Sequence, residues 1–422
     1  MARILILTPQ LPIPPQALTG LSQGTTIRNF NLIAGLAQRH DIDLLTFAAS
    51  EIDAGPDLLR PYCRRVIAEP APQRGLARRA RDTLLNPRPD MALRLDSPAM
   101  HGRMAAVLRE NRYDVVQVEG IEMAPYALRP GGGAPTAARP RATAARPRLV
   151  FDDHNAEYLL QKRNCLTDLR QPRRWVAAAY SLVQWQKLTA YERRICLAAD
   201  RVVAVSEADR QALQRILPGL EIAVIPNGVD LAFYRRDAVP DGLNRLSQLG
   251  PHALVFTGKM DYRPNIDAVL WFADAVLPLI LAQIPDARFY VVGQQPHARL
   301  ARLTANPAIT LTGRVPDTRP YIAAAGVYVV PLRIGGGTRL KVLEAMAMSQ
   351  AIVSTRLGCD GFNFGDGREV CYADEPAAFA MAVIGLLRDR ARAAALGQTA
   401  RAYVEAHYGW SAIVPQLEAL YT

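Results

Sequence analysis

The sequence predicts an α/β protein made of two doubly wound, Rossmann-like domains, and three observations support this fold class. The 422 residues are too many for one typical hydrophobic core, so two or three domains are expected. Short β-branched runs alternate with helical stretches, which is the pattern of parallel α/β sheets. Several runs are continuously apolar, as expected for strands that helices cover on both faces.

Thirteen predicted strands fall into two series. Those of the first half read ARILILTP, DIDLLTFAA, RRVIAEP, YDVVQVEG, RLVFDDHN, DRVVAVS and EIAVIPNG. Those of the second half read ALVFTGKM, ARFYVVGQ, AITLTGRV, GVYVVPLR, AIVSTRLG and REVCYAD. A polar stretch from Tyr234 to Pro251 separates the series. We predict an N-terminal domain over residues 1–235, a C-terminal domain over 236–407, and a last helix over 408–422 that packs back onto the first domain.

Cysteine usage and hydropathy favour a cytoplasmic protein. The five cysteines are scattered and show no CxxC or Cys/His spacing, so we expect neither a disulfide framework nor a zinc site. No stretch is apolar over the roughly 18 residues of a membrane helix. The best candidate, Trp271 to Ala282, is interrupted by Asp274 and Pro278. The first apolar run is too short for a secretory signal.

The basic charge is concentrated in the first half. Residues 1–250 hold 34 Lys and Arg against 25 Asp and Glu, whereas residues 251–422 hold 16 against 14. An anionic membrane surface or another polyanion fits this asymmetry, and so does an Arg-rich composition on solvated faces. No pattern for reading nucleic acid is present. A predicted basic helix over residues 172–195 carries four aromatic residues, a stripe more typical of core than of membrane contact: Trp175, Tyr180, Trp185 and Tyr191.

The strongest candidate for chemistry is a glycine-rich loop between a strand and a helix. The segment VVPLRIGGGTRLKVLEAMA runs through Gly335–Gly337 and Thr338 into a helix that begins near Arg339. Glycines let the backbone turn its amides towards an anion, and the helix N-terminus adds partial positive charge. Arg339 and Lys341 add full charges. The loop therefore predicts a phosphate-binding nest, and a flexible loop with solvated charges is the alternative.

Lysine placement and one carboxylate extend this site. Only four lysines are present, and the two in the last 172 residues, Lys259 and Lys341, both lie at strand-to-helix junctions. A compact ammonium that reaches a phosphate would explain that placement, as chance also would. Glu344 lies on an otherwise apolar helical segment, where an unpaired carboxylate is costly to bury. The vicinal hydroxyls of a sugar would be suitable partners, and a local pair is the alternative.

Other candidates follow strands at the same predicted sheet edge, where doubly wound sheets bind ligands. In the second half these are Gly258, Arg263, Gly293, Arg314 and Val315. In the first half they are Gly24, Arg28 and His154. Backbone groups at Gly293, Arg314 and Val315 could recognise a base. A histidine at the end of a parallel strand, facing a cleft between domains, is a candidate for function, and a structural role is the alternative.

With these residues in place, the chain resembles the retaining GT-B glycosyltransferases of the large family that includes sucrose synthases and bacterial polysaccharide and mannosyl transferases. The resemblance rests on GTTIR, DDHNAEY, VVAVSEAD, IPNGVD, FTGKMDYRPNID and, above all, GGGTRLKVLEAMA. It implies a donor pocket in the C-terminal domain and an acceptor site in the N-terminal one. By motif, Lys259, Arg339 and Lys341 would lie at the donor diphosphate. Glu344 would hold the ribose hydroxyls. The residues implied on the N-terminal side are His154, facing the transferred sugar, with Gly24 and Arg28.

Two positions depart from the family pattern. The family has a pair of acidic residues seven positions apart that ends at the counterpart of Glu344, and the first of them is Gly336 here. The basic residue that is usual in the first C-domain loop is Pro264 here, and the neighbouring Arg263 could substitute for it. The fold is unaffected, but donor choice could differ.

We therefore expect transfer of a hexose from a UDP- or GDP-sugar to a hydroxyl of a glycan or lipid-linked acceptor, with retained configuration. Fixed cations and loop amides would stabilise the leaving diphosphate. Neither a cofactor nor a metal ion is expected, since the sequence shows no acidic cluster. The family suggests exopolysaccharide or cell-surface glycan synthesis at the inner face of the plasma membrane. The alternatives are a sugar-nucleotide epimerase and a non-catalytic nucleotide-sugar-binding subunit. A NAD enzyme is disfavoured because TPQLPIPPQ, not GxGxxG, follows the first strand.

Overall fold

The computed structural model describes residues 1–14, 24–48, 55–128, 146–170, 172–239, 249–335 and 338–421. The described chain divides into two compact units. The first contains the described residues up to Pro226 together with residues 414–421, and the second contains Asn227–Ile413. Each unit has its own cluster of buried hydrophobic residues.

The first unit is built on a seven-stranded sheet in which all pairings are parallel. Its strand order is β3-β2-β1-β4-β5-β6-β7. The strands are β1 Arg3–Thr8, β2 Asp41–Ala48, β3 Arg65–Pro70, β4 Val115–Glu119, β5 Arg148–Asp153, β6 Arg201–Ala204 and β7 Ile222–Val224. β4 is buried along its whole length, including its two polar residues, Gln117 and Glu119.

Helices connect these strands. They are α1 Gly24–Leu36, α2 Gly55–Leu59, α3 Leu76–Leu85, α4 Asp90–Arg94, α5 Pro98–Glu110, α6 Ala124–Ala127, α7 Glu157–Leu169, α8 Trp175–Ala198 and α9 Glu207–Ile216, with a 3-10 turn at Pro172–Arg174. The start of α9 shows how the sequence sets a helix end, because the Ser206 hydroxyl accepts a hydrogen bond from the Asp209 amide at 3.1 Å.

The second unit repeats the same architecture with a six-stranded, all-parallel sheet. Its strands are β8 Ala253–Thr257, β9 Arg288–Val292, β10 Ile309–Gly313, β11 Val327–Val330, β12 Ile352–Ser354 and β13 Cys371–Tyr372. The order β10-β9-β8-β11-β12-β13 matches the order of the first sheet, and it is the order of dinucleotide-binding folds. The predicted fold class is confirmed, and each of the thirteen predicted runs contains one strand.

The second unit also has short and irregular helices. Its α-helices are α10 Arg263–Trp271, α11 Leu277–Leu281, α12 Arg319–Ala324, α13 Leu340–Ala347, α14 Pro376–Arg388 and α15 Arg390–His407, and α16 Trp410–Glu418 continues into the residues of the first unit. The 3-10 helices are Arg236–Ala238, Ala298–Ala305, Leu357–Cys359 and, in the first unit, Ala419–Tyr421.

One helix differs from its prediction. Within the described residues, Arg263–Leu281 is a single continuous helix that is long and apolar enough to cross a membrane by length and composition. Asp274 and Pro278 interrupt the apolar stretch but not the helix, because a π-helical turn at Phe272–Val276 carries the chain into Pro278 without a break. More than half of the most apolar window is buried, so this helix belongs to the core of the second unit.

The aromatic residues of α8 do not share one environment. Tyr191 is buried and Trp185 is half-buried, as a core stripe requires. Trp175 is 61% exposed and Tyr180 is 37% exposed, so the core interpretation is wrong for the first half of this helix. The cause is the position of these residues near the tip of the α7–α8 hairpin.

Candidate functional site

Each sheet reverses its strand order beside its first strand, and ligands of doubly wound folds bind at the carboxyl end of that point. In the second unit the reversal lies between β8 and β11. In the first unit it lies between β1 and β4. The loops that follow β1, β8 and β11, together with the helices after them, contain most of the residues that the sequence analysis selected.

Two glycines allow the strand ends of the second unit to approach each other closely. A Cβ atom on Gly293 would lie 1.7 Å from the carbonyl oxygen of Gly258. A Cβ atom on Gly258 would lie 2.7 Å from both the Lys341 Nζ and the Asn265 Nδ2 atoms. No other residue type fits at either position without displacing its neighbours, so both glycines are required by packing at the site.

Lys341 brings the loop after β8 and the start of α13 together. Its Nζ atom donates a hydrogen bond to Asn265 Oδ1 at 3.1 Å and lies 4.0 Å from the centroid of the Phe256 ring. Burial, and then the charge of Arg339, lower the pKa of Lys341 to about 7. An ammonium with a weakened hold on its proton gains most from an incoming anion. Lys341 is therefore well placed to respond to a phosphate.

Asn265 is a site residue that the sequence analysis missed. Its Nδ2 atom donates to the Lys259 carbonyl oxygen at 2.8 Å while its Oδ1 atom accepts from Lys341, so it connects the two lysine-bearing segments. Asn265 is 6% exposed. The only signal in the sequence is its place beside Pro264, where the family pattern is broken.

The glycine-rich loop folds over its own arginine. Gly335 has a φ of +106°, and a Cβ atom there would lie 2.9 Å from Arg339 Nη2 and 3.0 Å from Pro264 Cγ. Arg339 is 9% exposed and caps the N-terminus of α13. Thr338 Oγ1 accepts a hydrogen bond from Asn227 Nδ2 at 2.8 Å. The structure thus brings together Gly335, Thr338, Arg339 and Lys341 of the predicted nest, while Gly336 and Gly337 lie outside the described residues.

Glu344 already has a protein partner. It follows Lys341 by about one turn of α13 and is hydrogen-bonded to the hydroxyl of Tyr234. Burial raises the pKa of Glu344 above its ordinary value, although the Tyr234 hydrogen bond and the Lys341 charge act in the opposite direction. Tyr234 was not predicted, because nothing in its local sequence indicates a contact more than a hundred residues away.

The remaining candidates of the second unit follow three neighbouring strands. They are Lys259 after β8 with Arg263 at the start of α10, Gly293 directly after β9, and Arg314 and Val315 after β10. Because the sheet is parallel, all of these strand ends lie at one edge. Arg314 is exposed, whereas Lys259, Arg263 and Val315 are half-buried.

In the first unit, His154 follows β5 and pairs with the end of β4. Its Nε2 atom lies 2.7 Å from Glu119 Oε2. Burial alone would lower the pKa of His154, but the hydrogen bond to Glu119 and the charges of Glu119 and Asp152 outweigh it and raise the pKa above the ordinary value. Glu119 was missed by the sequence analysis because it lies on the neighbouring strand, far away in the sequence. The contact with Glu119 therefore orients His154 and favours the protonated form more than in a free histidine.

Arg28 is a buried anchor on α1. Its Nε and Nη2 atoms donate to Asp152 Oδ2 at 3.1 and 2.7 Å, and its Nη1 atom donates to the Pro226 carbonyl oxygen at 2.9 Å. Only 2% of Arg28 is exposed. Gly24, at the start of the same helix, is exposed. The contacts described for Arg28 are with the protein itself, so its predicted contact with a ligand stays a prediction.

Three side chains of this region form a set that could hold a metal ion. They are Glu119, Asp152 and His154, whose ligand atoms all lie within 4.8 Å of one another. The sequence analysis found no acidic cluster, because these carboxylates are brought together only by the pairing of β4 with β5. A cation here would compete with Arg28 for Asp152 and with His154 for Glu119. These side chains are thus already paired with Arg28 and with one another.

A cavity of about 270 Å³ opens beside His154, and all the residues around it belong to the first unit. Its volume is slightly below that of pockets for drug-sized ligands and suits a single sugar ring. The lining residues are Pro9, Gln10, Thr25, Met91, Arg94, Leu95, Gly120, Ile121, Glu122, Asp153, His154, Asn155 and Glu157. The mixture of carboxylate, amide and imidazole groups offers partners to several hydroxyls.

Comparisons with known proteins agree with this geometry. Residues 23–233 match the family described as Glycosyltransferase Family 4, and residues 251–389 match that described as Glycosyl transferases group 1. A GDP-mannose-dependent alpha-(1-6)-phosphatidylinositol monomannoside mannosyltransferase of Mycobacterium tuberculosis is 27% identical over 243 residues. That match covers 53% of this chain and 62% of the relative, so the chain spans less than two thirds of the relative's length.

Two solved structures share the fold over nearly their whole length. Sucrose-phosphate synthase from Thermosynechococcus elongatus superposes with a TM-score of 0.69 at 19% identity, covering 100% of this chain and 98% of that one. Anabaena HepE in complex with UDP and glucose superposes with a TM-score of 0.63 at 15% identity, covering 99% of each chain.

Proposed function

This chain belongs to the family 4 and group 1 glycosyltransferases, and we propose that it transfers a hexose from a nucleoside diphosphate sugar to a hydroxyl of a glycan or lipid-linked acceptor, with retention at the anomeric carbon. One observation carries the proposal. At the reversal point of the second sheet, Gly258 leaves room for the Lys341 ammonium beside a loop that begins at Gly335. These contacts support an anion site at the place where doubly wound sheets bind nucleotides.

The donor diphosphate is the anion that this site would hold. Lys341 and Arg339 supply positive charge, and the N-terminus of α13 adds partial positive charge. As the bond to the sugar breaks, negative charge builds on the leaving phosphate, and fixed cations stabilise it without reorganising. Glu344 would accept from the ribose hydroxyls. The leaving phosphate would help to deprotonate the acceptor hydroxyl, so the donor is a substrate and no cofactor takes part.

The nucleotide is proposed as UDP or GDP. HepE, which shares this fold, was solved with UDP and glucose, and the mannosyltransferase relative is named as GDP-mannose-dependent. The acceptor would enter the cavity beside His154 in the first unit. We place the reaction in the cytoplasm at the inner face of the plasma membrane, in exopolysaccharide or cell-surface glycan synthesis.

The test is donor turnover by purified protein with UDP-glucose, GDP-mannose and related sugar nucleotides. We expect hydrolysis or transfer with one of them, and Lys341→Ala should lower kcat/KM by about a hundredfold or more. Arg302→Ala is the matched control, because Arg302 is an exposed cation of the same unit that pairs with Asp274. Equal turnover by Lys341→Ala and the unaltered protein would contradict the proposal, and a product with inverted configuration would contradict retention.

A non-catalytic nucleotide-sugar-binding subunit is the second candidate. The observation in its favour is Gly336, which stands where the family has an acidic residue. Calorimetry with UDP, GDP and ADP, followed by product analysis, separates the two readings. Binding without transfer to any acceptor favours the subunit, and a changed sugar on the same nucleotide would indicate an epimerase.

A further inference from the structure

Exposed hydrophobic side chains are concentrated on one part of the first unit. Of the sixteen large hydrophobic residues that are exposed in the described part of the chain, ten lie on α3 or between residues 166 and 183. They are Leu76, Leu84, Leu85, Leu166, Leu169, Trp175, Val176, Tyr180, Leu182 and Val183. Single exposed apolar residues are normal on any protein, but a group of this size indicates a surface that is covered in use.

The helix α3 turns its apolar side outward. None of its residues is buried, and Leu76 and Leu84 are 80% and 81% exposed. Leu76, Ala80 and Leu84 recur at every fourth position, so they share one side of the helix. Arg79 and Asp82 lie on the other side and form ion pairs with residues of the first unit. Polar contacts therefore hold α3 in place and leave its leucines in water.

The tip of the α7–α8 hairpin continues this surface. Lys187 on α8 donates hydrogen bonds to the carbonyl oxygens of Thr83 and Asn86 at 2.6 and 2.7 Å, which fixes the end of α3 beside α8. At the hairpin tip, the Trp175 Nε1 atom donates to the Leu169 carbonyl oxygen at 3.3 Å. The two stretches thus form one face, which we call the α3–α8 face.

The charge of the α3–α8 face is positive. Residues 74–90 contain five arginines against two aspartates, and residues 157–187 contain six basic residues against two acidic ones. Asp82, Asp90 and Asp168 are each paired with an arginine. The side chains of Arg78 and Arg81 remain 62% and 66% exposed beside the leucines of α3. Leucine, tryptophan and arginine on one surface are complementary to an interface of acyl chains and anionic headgroups.

We propose that the α3–α8 face docks on an anionic lipid bilayer, with the leucines of α3 and Trp175 inserted at headgroup depth and the arginines at the phosphates. This inference rests on the proposed function, because a membrane-bound acceptor gives the docking its purpose. It is tested separately, because lipid binding and sugar transfer are separate measurements.

The experiment is flotation of the full chain with vesicles of phosphatidylcholine and phosphatidylglycerol in equal parts. Leu84→Ser with Leu85→Ser should weaken binding by about tenfold or more, since two apolar side chains no longer leave water. Arg78→Glu with Arg81→Glu should weaken it by at least about 25-fold, at about fivefold for each lost charge, and added salt should weaken binding of the unaltered protein. Every altered residue is exposed, so folding should persist, as circular dichroism would verify.

Matched controls come from the same unit. Leu197→Ser removes a leucine that is 65% exposed at the far end of α8, and Arg109→Glu reverses an exposed charge on α5. Neither should change flotation. Equal binding by the leucine variant and the unaltered protein, binding that ignores salt, or self-association that depends on the α3 leucines would overturn the proposal. Transfer to a water-soluble acceptor should stay unchanged in all four variants, and its absence from the unaltered protein would count against the proposed function alone.

Discussion

At the scale of single residues, the second unit contains a buried ammonium whose positive charge is disfavoured by its surroundings. Lys341 is surrounded by Phe256, Asn265 and the backbone of Gly258, and Arg339 adds a like charge nearby. The positive charge of such a buried ammonium is unfavourable until an anion binds beside it. The free energy of anion binding then includes the free energy that is gained as the pKa of the ammonium rises towards its ordinary value.

This gives a prediction for the pH dependence of nucleotide binding. The pKa of Lys341 is about 7 without ligand, and a diphosphate favours the charged form, so the pKa must rise on binding. Below pH 7 the affinity for UDP or GDP should be nearly constant, and above it the affinity should fall by up to about tenfold per pH unit. Calorimetry in buffers of different ionisation enthalpy should show proton uptake on the alkaline side. Lys341→Met should abolish the uptake, and uptake that persists would refute the assignment.

The second prediction concerns the pKa of His154, which should fall when its carboxylate partner is removed. Glu119 is the main reason that the pKa of His154 is raised, while burial lowers it, so Glu119→Gln should bring the His154 pKa below that of the unaltered protein. NMR titration of the imidazole resonances measures this directly. Asp286→Asn, which changes the partner of His252, should leave the His154 titration unmoved. An unchanged titration in Glu119→Gln would mean that the 2.7 Å contact does not set the charge of His154.

At the scale of residues, the sequence indicated which side chains lie close together only where they are close in the chain. Lys341, Arg339 and Thr338 stand in one loop and helix start, and the structure brings them together with Gly258 and Asn265 of a second loop. The partners that the sequence did not reveal act across the fold. Asn265, Glu119 and Tyr234 each contact a partner that is distant in the sequence and that the fold brings close. No spacing in the sequence encodes such a contact.

At the scale of elements, the strands were readable because of their environment. Most parallel strands with both faces covered are rich in apolar residues, and each of the thirteen strands lies within a run that the sequence shows. Helices were less readable where their boundaries depend on packing. Asp274 and Pro278 interrupt an apolar stretch whose helix nevertheless continues, and the exposed leucines of α3 give no core-facing pattern at all.

The meeting of strand ends β8 and β9 gives a prediction at this scale. In Gly293→Ala the new methyl group would lie 1.7 Å from a backbone oxygen, which cannot rotate away as a side chain can. We expect a loss of unfolding free energy of about 2 kcal/mol or more, together with weaker nucleotide binding. Gly102→Ala is the control, because its methyl group meets nothing within 4 Å and its helix should be stabilised slightly. Urea denaturation measures the free energy of unfolding of both variants. If Gly293→Ala were as stable as the unaltered protein, the ends of β8 and β9 would be able to move apart at little cost.

At the scale of the whole molecule, the two units share one strand order but differ in their charge and in the chemistry of their candidate sites. The second unit has nearly balanced charge and an anion site made of local cations. The first unit has the basic excess, the cavity beside His154 and the α3–α8 face. The two hydrophobic clusters contain no residue in common, which indicates that each unit has its own cooperative core.

Separate cores predict that a ligand stabilises only the unit that binds it. At UDP or GDP a hundredfold above its Kd, the bound unit should gain about 2.7 kcal/mol, so core amides of β8, β9 and β11 should exchange about a hundred times more slowly. Core amides of β1, β4 and β5 should keep their rates, because the first cluster opens without disturbing the nucleotide. Hydrogen exchange read by mass spectrometry resolves the two sets. Lys341→Ala at the same nucleotide concentration should lose most of the protection. If the exchange of both sets slowed equally, the two hydrophobic clusters would unfold together. The two units would then form one cooperative unfolding unit, and the prediction would be wrong.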